Sequence, residues 1–127
     1  MNEYILELGK KAKEASKKLA IIDTNTKNAV LTAVAKALIE KRELIKAENK
    51  KDLEYGREKG VGSARLDRLE LTDSRIDGMA KSLIEIANFK DPVGEILEGW
   101  KHPDGMQILK QRVPLGVIGM IFESRPN

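Results

Sequence analysis

Eight consecutive residues near the end of the chain, Leu115-Gly116-Val117-Ile118-Gly119-Met120-Ile121-Phe122, carry no polar side chain. They do not alternate, as a strand with one solvated face would, and the run is short for a helix. A strand buried on both faces has this composition, and such strands lie in parallel sheets covered by helices. Only Glu123-Ser124-Arg125-Pro126-Asn127 follows, so this chain supplies no later strand to flank it. The run therefore predicts a fold completed by further polypeptide, with this chain as the N-terminal piece of a longer protein.

Everything before residue 92 has helical periodicity. Ile5, Leu8, Ala12, Ala15 and Leu19 share one stripe while Lys10, Lys11, Lys13, Lys17 and Lys18 fall on other faces, predicting a helix from Glu3 to Leu19. Asp23 or Thr24 can cap a second helical stretch that carries Val30, Leu31, Val34, Leu38, Ile39, Leu44, Ile45 and Leu53 on to Tyr55. That is long for one globular helix, so a break is expected at residues 41–43, with Gly56, Gly60 and Gly62 as the stop. Leu66, Leu69 and Leu71 mark a short helix or turn. Thr72 reads as the cap of a helix that buries Ile76, Met79, Leu83, Ile84 and Ile86 and ends before Asp91-Pro92. The pattern then changes. Ile96, Leu97 and Trp100 precede His102-Pro103-Asp104-Gly105, and Met106, Ile108, Leu109 and Val113 follow, predicting a hairpin about a Pro-Asp-Gly turn. Three segments result: a helical part at 1–92, a hairpin at 93–113, and a strand with its loop at 114–127.

Composition narrows the function. Lys and Arg number 23 against 20 Asp and Glu, and the signs are interleaved, which disfavours nucleic-acid binding. There is no cysteine, so this chain has no disulfide, thiolate metal site or cysteine nucleophile. No apolar run is long enough to span a membrane, and the first ten residues lack a signal-peptide layout, so a cytoplasmic protein without membrane partners is expected. His102 reads as a turn residue because a metal needs more ligands, and no metal site is expected. Trp100 reads as a cover for the hairpin face. The glycines at 60 and 62 read as a plain loop, since neither a preceding strand nor a Gly-Lys-Ser accompanies them. Chemistry concentrates instead at residues 123–127, beyond the carboxyl end of the apolar strand, where open α/β sheets bind ligands. There Arg125 offers a fork for phosphate or carboxylate. The competing reading of the same residues is a polar turn.

Further residues carry a resemblance: Glu48-Asn49-Lys50-Lys51-Asp52-Leu53, Leu66-Asp67-Arg68-Leu69, Asp91-Pro92-Val93-Gly94-Glu95, Gly99-Trp100, Arg112-Val113-Pro114-Leu115-Gly116-Val117-Ile118-Gly119 and Glu123-Ser124-Arg125-Pro126-Asn127. Together they closely resemble the γ-glutamyl phosphate reductases, or glutamate-5-semialdehyde dehydrogenases, of the aldehyde dehydrogenase superfamily. The resemblance implies an intact α/β fold with a cofactor-binding domain, a catalytic domain and a β-arm. This chain would contribute a mainly α-helical part, the arm's β-hairpin at 93–113 and the first strand of the cofactor sheet. It implies NADPH-dependent reduction of L-glutamyl 5-phosphate to glutamate 5-semialdehyde and phosphate, in proline biosynthesis. A cysteine thiolate attacks the acyl phosphate and hydride from NADPH reduces the thioester. Asn127 would be the oxyanion donor, although a gapless match puts Arg125 there. Main chain at Ile121, Phe122, Glu123 and Ser124 would approach the nicotinamide, and Arg125 would meet substrate. The family's nucleophilic cysteine has no counterpart here, so the chain alone is expected to be inactive. Homo-oligomerisation through the hairpin arm and a glutamate 5-kinase partner are further implications. The rival expectation is a non-catalytic helical interaction or assembly module.

Overall fold

The apolar stripe that predicts the first helix yields α1 (Glu3–Leu19), with Glu3 in its first turn and Lys17 and Lys18 in its last, charges that complement the helix dipole. In the computed structural model, which describes residues 3–121, surface pairs support it further. Lys11 meets Glu7 at 2.7 Å and Lys17 meets Glu14 at 2.8 Å. No side chain of α1 is buried, and Ile5, Leu8 and Leu19 remain exposed along its stripe.

The long second stretch breaks where its length requires. Helices α2 (Thr24–Glu40) and α3 (Arg42–Glu58) are separated by Lys41 alone, at φ −97° and ψ 14°. Backbone bonding continues through the break: the Lys41 amide donates to Ala37 at 2.9 Å and the Lys41 carbonyl accepts from Ile45 at 3.0 Å. The stop of α3 lies at Gly60, whose φ of 71° is the left-handed conformation that glycine adopts without strain. There the Val61 amide donates to Gly56 at 2.9 Å and the Gly60 amide to Arg57 at 3.0 Å, the paired bonds of a Schellman end. Gly56, expected as part of that stop, instead lies inside α3. Its role is spatial: a β-carbon there would stand 2.9 Å from Leu66 Cδ2 on the short helix α4 (Ser63–Leu69), so its absence lets the two helices approach.

Thr72 caps α5 (Asp73–Ala87) as expected, its hydroxyl accepting from the Arg75 amide at 3.3 Å. The helix ends at Ala87, before Asp91-Pro92 is reached. Ala35 of α2, Leu53 of α3, and Ile76 and Ala80 of α5 are the buried apolar residues, with Ile76 at 0% exposure. The α4–α5 turn is held by polar side chains. Asn49, only 6% exposed, donates to the Leu69 carbonyl at 2.9 Å and accepts from the Leu71 amide at 2.7 Å. Arg75 donates to the carbonyls of Asp67 and Glu70 and pairs with the Asp67 carboxylate at 3.1 Å. These bonds satisfy backbone groups that the helix ends leave free.

Two antiparallel strands follow, β1 (Ile96–Lys101) and β2 (Gln107–Gln111). Trp100 faces Ile108 and Gly99 faces Leu109, with a bulge between Ile96 and Glu98. The turn is the expected one. The Gly105 amide donates to His102 at 2.9 Å, the His102 amide donates to Met106 at 2.8 Å, and Gly105 takes φ 87°. Beyond the strands, the Gly94 amide donates to Arg112 at 3.0 Å and the Arg112 amide to Glu95 at 2.9 Å.

The strand expected at 115–122 is not formed within the described residues, 115–121. Two physical reasons are visible. Gly116 stands at φ 87°, outside the β region, and among the described residues no other segment pairs with this backbone. The apolar side chains are correspondingly open, Leu115 at 88% and Ile118 at 67% exposure. The described residues divide into two compact units, 3–24 with 90–119 and 25–89 with 120–121.

Candidate functional site

Of the residues expected to carry chemistry, Phe122, Glu123, Ser124, Arg125 and Asn127 lie outside the described residues. Ile121 lies within them and is fully exposed, at 103%. The segment leading to it is open on the side of its glycines. A β-carbon added at Gly116 or Gly119 would meet nothing within 4 Å.

Elsewhere, polar side chains form local networks. Glu95 lies between two cations, 2.6 Å from Lys90 Nζ and 3.3 Å from Arg112 Nε. The Lys90 hydrogen bond is the main cause holding its carboxyl below the ordinary glutamate value, with a smaller contribution from Arg112. Asp91 accepts from the Val93 amide at 3.0 Å and from the Thr24 hydroxyl at 3.0 Å. His102 Nδ1 lies 2.9 Å from Asp104 Oδ2 within the exposed turn, where the imidazole serves the loop's own geometry.

In the helical unit, Arg42 of α3 pairs with Asp77 of α5, and Lys46 lies 2.9 Å from Asp73 and 3.4 Å from Glu43. The hydrogen bond between Lys46 and Asp73 raises the lysine's pKa and lowers the aspartate's. Arg42 Nε is buried 3.9 Å from Asp73 Oδ1, beyond hydrogen-bond distance. The network joins α3 to α5. A shallow apolar groove of about 290 Å³ lies between α2 and α5, floored by Ala35 and Ala80, walled by Ile39 and Ile84, and rimmed by Lys36 and Lys81. Among the described residues no group of histidine and carboxylate side chains is placed to hold a metal ion. None of the helices described is long and apolar enough to cross a membrane.

Asn49 and Arg42 were not distinguishable as anchoring residues by their sequence spacing. Their partners are 20 to 22 residues away for Asn49 and 35 for Arg42, beyond any helical periodicity. Only the resemblance drew attention to the stretch that contains Asn49.

Comparison with known proteins points one way. The chain is 50% identical over all its 127 residues to the γ-glutamyl phosphate reductase of Halothermothrix orenii. It is homologous to the γ-glutamyl phosphate reductases along its whole length. The crystal structure of γ-glutamyl phosphate reductase from Thermotoga maritima superposes with a TM-score of 0.83 at 41% identity, covering 86% of this chain and 26% of that one. The reductase of Saccharomyces cerevisiae gives 0.77 at 26% identity, covering 81% of this chain and 26% of its own. No family profile matches. The chain spans about 30% of the length of the curated reductases it matches. Its helices and hairpin are thus those of the matching quarter of the solved γ-glutamyl phosphate reductases.

Proposed function

We propose that this chain is a structural part of an NADPH-dependent γ-glutamyl phosphate reductase, whose whole form converts L-glutamyl 5-phosphate to L-glutamate 5-semialdehyde and phosphate. The observation that carries the reading is the 50% identity over the entire chain to a curated reductase. The residues assigned to the site are those after the apolar run. The reading assigns Asn127 to donate to the oxyanion that develops as the acyl carbon is reduced, and Arg125 to receive the phosphate or carboxylate of the substrate. The main chain at Ile121, Phe122, Glu123 and Ser124 is assigned to the cofactor's nicotinamide half, and the open backbone at Gly119 supports an approach there. Bound NADPH supplies the hydride.

A nucleophile is absent from this list because the chain has no cysteine. The thiolate must come from the part of the reductase that this chain does not match. The chain alone is therefore inactive, and oligomerisation through the hairpin belongs to the same reading. The assay is reduction of NADP dependent on glutamate 5-semialdehyde and phosphate, run on this chain and on this chain joined to the missing portion. We expect no turnover from the first and turnover from the second. In the joined protein, Asn127→Ala lowers kcat about a hundredfold or more, the scale for loss of one oxyanion donor. Turnover by the 127-residue chain alone would overturn the assignment.

A further inference from the structure

Two aspartates in the sequence precede a glycine, Asp77 and Asp104, and no asparagine does. An aspartate carboxyl carbon and the next residue's main-chain nitrogen are tethered so that bond formation between them closes a five-membered ring. Glycine, with no β-carbon, obstructs that closure least. The surroundings of the two pairs differ. Asp77-Gly78 lies inside α5, where the Gly78 amide is committed to the helix ladder and Arg42 holds the Asp77 carboxylate. Asp104-Gly105 lies in the hairpin turn, with the Asp104 side chain 71% exposed and no atom within 4 Å of where a β-carbon on Gly105 would stand. The Gly105 amide is held by its bond to the His102 carbonyl at 2.9 Å. A two-stranded ribbon is marginal by itself, so that bond opens locally far more readily than the interior of a helix. His102 Nδ1 stands 2.9 Å from Asp104 Oδ2, close enough to protonate an oxygen that has to leave.

We propose that Asp104-Gly105 is a site of spontaneous backbone modification, the conversion of aspartate to isoaspartate, with His102 as its internal proton donor. The Gly105 nitrogen bonds to Asp104 Cγ and gives up its proton. Oδ2 leaves as water with that proton and one from the His102 imidazolium, and a cyclic imide remains. Water then adds to one of the two imide carbonyls. Addition at Cγ restores aspartate, whereas addition at the main-chain carbonyl of Asp104 leaves the chain running through Cγ. In either case the new carboxyl ionises and its proton returns to His102. No oxidant or other co-reactant is consumed and the mass of the chain is unchanged. The isoaspartyl product carries one extra main-chain carbon at residue 104. The Gly105 amide is thereby moved off the His102 carbonyl, and the turn that sets the pairing of Lys101 with Gln107 loosens. The chemistry needs nothing beyond this hairpin.

The test is incubation of the 127-residue chain in heavy-oxygen water at neutral pH and physiological temperature. Each passage through the ring places one heavy oxygen on the aspartate, and peptide fragmentation in a mass spectrometer locates it. Methyl transfer by a protein isoaspartyl methyltransferase reports the isomer itself. We expect heavy oxygen to enter at residue 104 at least about tenfold faster than at residue 77, a barrier difference of about 1.4 kcal/mol, and a methyl-accepting product at residue 104. In urea, where both pairs lose their surroundings, the two rates converge. His102→Gln keeps a hydrogen-bond donor without an acid and slows the folded chain's reaction at residue 104 about threefold or more. Asp104→Glu, whose closure needs a six-membered ring, abolishes labelling and methyl transfer there and leaves far-UV helicity unchanged, since the turn lies outside the helices. Equal rates at the two sites in the folded chain would overturn the proposal, as would a difference that persists in urea. Labelling at residue 104 with no methyl-accepting product, or a rate indifferent to His102→Gln, would also overturn it.

Discussion

The helical unit at 25–89 and the hairpin at 93–113 treat their backbones alike and their apolar side chains differently. In the helical unit, polar side chains close the free ends of helices: Asn49 bridges the Leu69 carbonyl and Leu71 amide, Arg75 reaches Asp67 and Glu70, and Thr72 caps α5. Ile76 can then be buried completely. In the hairpin the strands satisfy each other, yet Leu97, Trp100 and Leu109 remain exposed, and beyond it the apolar run is open altogether. Satisfied hydrogen bonds give a segment its local conformation. Independent stability further requires a second layer over the apolar face, and a two-stranded ribbon does not supply one.

The sharpest way to break that comparison is to truncate one large apolar residue in each region. Ile76→Ala should destabilise the helical unit by about 2–5 kcal/mol, seen as a lower urea midpoint in far-UV circular dichroism. Trp100→Ala, on a half-exposed side chain, should leave that midpoint within about 0.5 kcal/mol. Equal effects would mean that the hairpin shares the cooperative core.

A smaller effect isolates the polar clamp. Asn49→Ala leaves the Leu69 carbonyl and Leu71 amide without their partner and should cost about 1–3 kcal/mol. Asn49→Asp keeps an acceptor for the amide but sets a carboxylate against a carbonyl, so it should not rescue. If Asp proved as stable as Asn, the donor half of the clamp would be dispensable.

The two turn glycines extend the test to backbone strain. Gly60→Ala places a β-carbon at φ 71° with no steric neighbour, so its cost of about 1 kcal/mol is conformational alone and should appear in the helical melt. Gly105→Val, at φ 87°, should raise amide exchange at Ile108 and Trp100 and leave the helical melt in place. Loss of helicity in the second variant would again unite the regions.

How much of this was legible in the sequence follows the range of the interactions. The bounds of α1, the Thr72 cap and the Pro-Asp-Gly turn depend on residues within four positions of one another, and the structure has them where the periodicity put them. The break at Lys41 followed from length. Gly56 was misread because a glycine near a helix end has two physical uses, a left-handed stop and a close approach, and only the position of Leu66 distinguishes them. The apolar run at 115–121 reads as a strand, and none is formed there within the described residues. Of the assigned site residues Ile121 alone is described, so resemblance rather than geometry supports the site.

The smallest expected effect concerns pH, and it tests whether ion pairs act on a whole region or only locally. Asp73 is held below the ordinary aspartate value of 3.8, first by its hydrogen bond from Lys46. Its contribution is therefore present above that value and lost as pH falls through the lower folded value. Lys46 is raised above 10.5 by the same bond, so its contribution is present below that value and lost as pH rises past it. Between those limits the pair adds a flat, modest term, because both groups meet solvent and salt screens them. Asp73→Asn should therefore reduce the steepness of acid unfolding below about pH 4 and leave the neutral-pH slope unchanged, as measured by helical melts across pH. Glu95 offers the contrast. Its carboxyl is lowered from 4.5 by Lys90 first, and its contribution is also lost on the acid side. It lies beside the hairpin, so Glu95→Gln should change acid-side amide exchange near Arg112 and spare the helical melt. If Glu95→Gln moved the helical melt as far as Asp73→Asn did, the two regions would unfold as one, and the hairpin's exposed apolar face would not mark a separately stabilised part.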